Sequence, residues 1–164
     1  MKKLYIKQKV FSIGEKFTVM DEDQQPRYFI KGSFMKIPKT FHIEDEHGNE
    51  VSRITKKVIS LLPKFYVEMN GKEAIEISKH LSFLKAKYSI SAEDLSVEGN
   101  WWDMDFEVSQ KGKKVAEINK RWISWGDTYE ITIFNEDFEE LVISLVIAID
   151  CVKEDEASAS SSTN

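Results

Sequence analysis

The chain has 164 residues, 41% hydrophobic and 31% charged, with 12% aromatic and a formal net charge of −5. Such a composition supports one globular domain with a real core, excludes wholesale disorder, and argues against a dedicated nucleic-acid binder. A single cysteine, Cys151, excludes an intramolecular disulfide framework, and its apolar neighbours Ile149 and Val152 mark it as inert core.

The start, Met1-Lys2-Lys3-Leu4-Tyr5-Ile6-Lys7, is charged and lacks an apolar run of signal-peptide length, so the cytoplasm is the expected location. From there the chain repeats. Lys9-Val10-Phe11-Ser12-Ile13 leads to Phe17-Thr18-Val19, and Lys57-Val58-Ile59-Ser60-Leu61 leads to Phe65-Tyr66-Val67. Lys79-His80-Leu81-Ser82-Phe83 leads to Tyr88-Ser89-Ile90, and Arg121-Trp122-Ile123-Ser124-Trp125 leads to Tyr129-Glu130-Ile131. Partial copies stand at Phe41-His42-Ile43 and Phe106-Glu107-Val108. The anchor aromatics recur about every 18 to 24 residues.

Alternation after each anchor predicts a half-buried strand. The turns are Asp21-Glu22-Asp23, Asp45-Glu46-His47-Gly48-Asn49, Asn70-Gly71 and Gln110-Lys111-Gly112. Asn70-Gly71 is the sharpest, since both residues accept the positive φ of a two-residue hairpin. Return strands follow, with Ile54, Ile77 and Ile118 at matching places, giving about twelve strands in an antiparallel meander.

The pattern breaks near residue 137. Asp137 with Glu140 reads as a capping box, and the run Leu141 to Val152 has only Ser144 and Asp150 as polar members. About a dozen residues fall short of the roughly 20 needed to span lipid as a helix. The segment is therefore expected to be a buried helix over 137–152, followed by a disordered acidic and Ser-rich tail over 153–164. A helix apolar all round must be surrounded all round. The expected fold is thus mainly β, one domain over 1–152, a closed barrel of about twelve antiparallel strands enclosing the C-terminal helix.

These features resemble the LURP-one-related family, which shares the tubby C-terminal-like fold, and bacterial YxjI-type proteins are similar. The residues carrying the resemblance are Gln8-Lys9-Val10-Phe11-Ser12, Val97-Glu98-Gly99-Asn100-Trp101-Trp102-Asp103-Met104-Asp105-Phe106, Ala116-Glu117-Ile118, Asp127-Thr128-Tyr129, and Ile149-Asp150. The resemblance implies a twelve-stranded barrel around a central helix. It transfers no lipid-contacting residue.

For chemistry, Asp103, Asp105 and Asp127 are the carboxylates that an enzyme would use, but Asp103 and Asp105 read more simply as strand-entry residues. His42, His47 and His80 lack metal-site spacing. Ser12, Ser60, Ser82 and Ser124 recur at equivalent places, which marks a structural role. Trp101, Trp102, Trp122 and Trp125 are expected in the core. No catalytic residue, metal or cofactor is expected.

In a meander, equivalent positions of successive units fall at one end of the barrel. Acidic turns then gather at one rim, while Lys31, Lys56, Lys57, Lys79, Lys120 and Arg121 gather at the other. The expectation is a monomeric, non-enzymatic binding or scaffold module using its outer surface. Its partner would be an anionic membrane lipid headgroup at that basic rim, placing it peripherally on the membrane, or a protein. The alternatives are a surface carboxylate enzyme and a regulatory protein-interaction domain.

Overall fold

The computed structural model describes residues 1–7, 17–33, 38–59, 62–82, 85–92, 94–123 and 126–161. Alternating apolar positions build twelve antiparallel strands: β1 (Lys2–Lys7), β2 (Phe17–Asp21), β3 (Pro26–Ser33), β4 (Thr40–Asp45), β5 (Glu50–Ile59) and β6 (Leu62–Met69). Then come β7 (Lys72–Ser82), β8 (Lys85–Ala92), β9 (Leu95–Asn100), β10 (Asp105–Gln110), β11 (Lys113–Ile123) and β12 (Gly126–Ile133). They form one sheet in the order β8-β7-β6-β5-β4-β3-β2-β1-β12-β11-β10-β9. Each strand pairs with its chain neighbour except at β8 and β9, and β1 pairs with β12 through Leu4 opposite Ile131 and Ile6 opposite Tyr129.

Among the described residues the closure is not complete. β8 and β9 stand at the two ends of the hydrogen-bonded order, so the nearly closed barrel keeps a seam between them. The hairpin at Asn70-Gly71 forms as its residue types require, with φ of 51° and 73°.

Inside runs α1 (Glu139–Ser161). Val142 through Ile149 are all buried, so successive residues pointing in every direction around the helix meet the strand wall. Leu4, Ile30, Ile43, Ile54, Ile75, Ile77, Val108, Ile118, Ile131 and Ile133 supply that wall, each with no exposed surface. At about 25 cal/mol per Å² of apolar area, this burial is the main source of stability.

Two helix boundaries differ from the sequence expectation. A 3-10 turn, Glu136–Phe138, precedes α1 and is capped by Asn135, whose side chain accepts from the Asp137 amide. Asp137 is therefore inside the turn rather than the cap. At the far end the helix continues to Ser161, so 153–161, expected as disordered tail, is helical.

Candidate functional site: the basic mouth of the barrel

Strand parity sorts the six cations. Successive side chains point to opposite faces of a strand. Lys56, Lys79 and Lys120 lie two residues beyond the fully buried Ile54, Ile77 and Ile118, so they share the inward face at the mouth through which α1 leaves. Lys31, Lys57 and Arg121 have the outward parity.

Two of the inward lysines, Lys56 and Lys79, meet α1 at residues 155 and 156. Lys56 Nζ lies 2.6 Å from Asp155 Oδ1, and Lys39 Nζ approaches the same oxygen at 3.8 Å. Lys79 Nζ lies 2.9 Å from Glu156 Oε2, which also accepts from the Tyr88 hydroxyl. The hydroxyl and the ammonium together hold the Glu156 carboxyl below its usual range. Burial, and then the Glu156 carboxylate, push the Tyr88 phenol up.

Tyr88 ties this cluster to the seam. Its ring stacks on Trp102, with centroids 5.6 Å apart, and meets Trp101 edge-on at 6.3 Å. Both tryptophans lie in a 3-10 turn, Trp101–Asp103, that joins β9 to β10. Gly99 permits that turn: its φ is +113°, and a Cβ there would stand 2.8 Å from the Asp105 carbonyl oxygen. Deeper in the mouth the Tyr129 hydroxyl donates to Asp150 Oδ1 at 2.9 Å. Burial raises the Asp150 carboxyl to about 6, against the opposing pull of Tyr129 and Lys153.

The outward cations have lateral contacts. Lys31 pairs with Glu44, Arg121 Nε lies 3.7 Å from Glu130, and Lys57 Nζ sits 4.8 Å over the Tyr66 ring. At the opposite mouth the acidic turns fold themselves. Asp21 Oδ1 accepts the Asp23 and Gln25 amides, and Asp45 Oδ1 accepts the His47 and Asn49 amides. Bonds from Asn49 hold the Asp45 carboxyl below its usual range. Helix entry is fixed there by Glu139, which accepts from Lys2 Nζ at 2.7 Å and from the Tyr28 hydroxyl at 2.8 Å.

The other sequence candidates separate. Asp103 is bound within its own turn, accepting from Asn100 Nδ2 while its amide donates to Asn100 Oδ1. Asp105 is exposed at the start of β10, and the Asp127 side chain lies outside the described residues. His42 contacts Glu50, His47 Nε2 stands 3.7 Å from Glu46, and His80 Nε2 is 2.7 Å from the Ser89 hydroxyl. Ser12, Ser60, Ser124 and Trp125 lie outside the described residues, as do the side chains of Ser82 and Trp122 and the segment Gln8 to Ser12. Among the described residues no group of three His, Cys, Asp or Glu is placed to hold a metal ion. A depression of about 180 Å³ between Glu50, Arg53, Glu68 and Asn70 is open to solvent. It is below the roughly 300 Å³ at which small-molecule pockets begin. No helix among the described residues is long and apolar enough to cross a membrane.

Lys39, Tyr88, Asp155 and Glu156 were not among the sequence candidates. The available signal was the acidic run Glu154-Asp155-Glu156 directly after an apolar helix, opposite a set of inward lysines.

The comparisons agree with this architecture. An Arabidopsis thaliana protein solved by X-ray crystallography superposes with a TM-score of 0.62 at 15% identity, over 92% of this chain and 90% of that one. That likeness concerns the fold. The uncharacterized protein YxjI of Bacillus subtilis (strain 168) is 30% identical over 152 residues, 93% of this chain and 94% of its own length. The profile described as LURP-one-related matches residues 2–150, and the chain belongs to the LURP-one-related family.

Proposed function

We propose that this protein is a non-enzymatic binding module working through its outer surface, with an anionic phospholipid headgroup as the ligand of the basic mouth. The observation that carries this reading is the filled lumen. Val142 through Ile149 occupy the volume in which a barrel of this size would hold a guest. Recognition is then left to the exterior. Lys31, Lys57 and Arg121 face outward at one end of the barrel, around inward Lys56, Lys79 and Lys120. Each cation near a charged bilayer contributes about 1 kcal/mol, and a few together give weak, salt-sensitive attachment. The binding of Asp103 within its own turn supports the non-enzymatic part of the reading.

Vesicle co-sedimentation tests it. Binding is expected to phosphatidylcholine vesicles containing phosphatidylglycerol at low salt, to weaken at high salt, and to be lost in Lys31→Glu/Lys57→Glu/Arg121→Glu. Equal and negligible binding to neutral and anionic vesicles removes the reading.

A further inference from the structure

Beyond Val152 the helix has no buried residue: positions 153–161 are partly or fully exposed. Its course there is set by polar contacts rather than by packing. The Asp155 and Glu156 carboxylates sit among inward lysines, as the Lys56–Asp155 pair at 2.6 Å and the Lys79–Glu156 pair at 2.9 Å describe. The side chains of these pairs are well shielded, at 20% and 16% exposure for the first and 18% and 30% for the second. Lys39 adds a third cation 3.8 Å from Asp155. Tyr88 donates to Glu156 as a hydroxyl would to a phosphate oxygen. Three cations and a phenol converging on anionic oxygens form the donor set that a phosphate group would recruit.

We propose that the acidic end of α1 is an intramolecular stand-in for the anionic headgroup, occupying the inward collar of Lys39, Lys56, Lys79 and Tyr88 and holding the protein in a weakly binding state. The inference rests on the reading of this mouth as a headgroup site and adds its regulation. Release of the helix end frees the collar for the bilayer. The contact also bridges the seam, since Lys79 and Tyr88 belong to β7 and β8 while Trp102, stacked on Tyr88, follows β9. Release therefore loosens the seam as well as the collar.

The test compares the full chain, Asp155→Asn/Glu156→Gln, and a control, Glu22→Gln/Asp23→Asn, which removes the same charge at the opposite mouth. Glu156→Gln alone is the milder variant, because Asp155 then remains on Lys56. Tryptophan emission and quenching report release, through the Trp102–Tyr88–Glu156 chain, and a circular dichroism melt reports folding. The expected result is altered emission together with about tenfold tighter binding of phosphatidylglycerol-containing vesicles, equivalent to the gain of one to two cations. The control should match the unmodified chain. An equal gain in the control assigns the effect to net charge and overturns the inference. Vesicle binding by the unmodified chain without any gain on release overturns the inference while the headgroup reading stands. Absence of binding by all of the proteins overturns both.

Discussion

The hydroxyl of Ser144 on α1 donates to the Glu140 carbonyl at 2.6 Å and lies 2.7 Å from the hydroxyl of Ser52 on β5, which then donates to it. Both residues are buried, so a polar pair joins helix and wall in the midst of apolar packing. Ser144→Ala strands the Ser52 hydroxyl without its partner, and a buried unsatisfied group costs about 1–3 kcal/mol. Ser52→Ala should cost less, because Ser144 keeps its carbonyl. The double variant should recover part of the Ser144→Ala loss. Urea unfolding of the three variants gives the coupling, and strict additivity would contradict the pairing.

Asp150 makes stability depend on pH. Its folded value is raised to about 6 from an ordinary 3.8. Between those limits the folded state holds the proton that the unfolded chain has released, so stability falls as pH rises through that window and is lower by about 3 kcal/mol above it. Asn keeps an acceptor for the Tyr129 hydroxyl and carries no charge. Asp150→Asn is therefore expected to stabilise the protein near pH 7.5, with the gain shrinking toward about pH 4. Melts at both pH values check the sign. A constant difference would assign the effect to packing.

Substitution of Val146→Asp or Ile147→Asp places a carboxylate where exposure is 0% and 1%. An unpaired buried charge costs several kcal/mol, on the scale of the total stability of a domain this size. Loss of the cooperative melt is expected. Retention at near-normal temperature would mean that the helix does not lie inside the wall.

Gly99→Ala is expected to cost more than about 1–3 kcal/mol. The added Cβ meets backbone at 2.8 Å, and the φ of +113° is itself unfavourable for alanine. Because the turn below carries Trp101 and Trp102, tryptophan emission should change along with the melting temperature. Unchanged emission would separate Gly99 from the seam.

Much of the barrel was legible because its signals are local. Alternation marks Ile54, Ile77 and Ile118 as wall residues, and Asn70-Gly71 marks its hairpin without reference to anything distant. The helix was legible from eight consecutive apolar or small positions that no turn interrupts, Val142 to Ile149. Its ends were not. Asn135 displaced Asp137 as the cap because a 3-10 turn intervenes. Asp155 and Glu156 meet Lys56 and Lys79, 99 and 77 residues distant in the chain, and composition carries no trace of such partners. The cations recur with the repeat, but their division into inward and outward members needed the register. The seam was invisible for a related reason, since alternation in β8 and β9 reads the same with or without a ladder between them.

The order of the elements along the chain has a consequence for synthesis. α1 follows the twelve strands, and β1, paired with β2 on one side, finds its second partner only when β12 exists, with Leu4 waiting for Ile131. A ribosome that has translated as far as Asn135 has made every stave and not the rod they are built around. The greasy inner faces of Ile30, Ile54, Ile77 and Ile118 then have nothing to enclose. Pairings of such long sequence separation form slowly, and waiting strands invite aggregation. Closure of the wall thus waits for α1, and nascent chains stalled before it should depend on chaperones more than chains that include it.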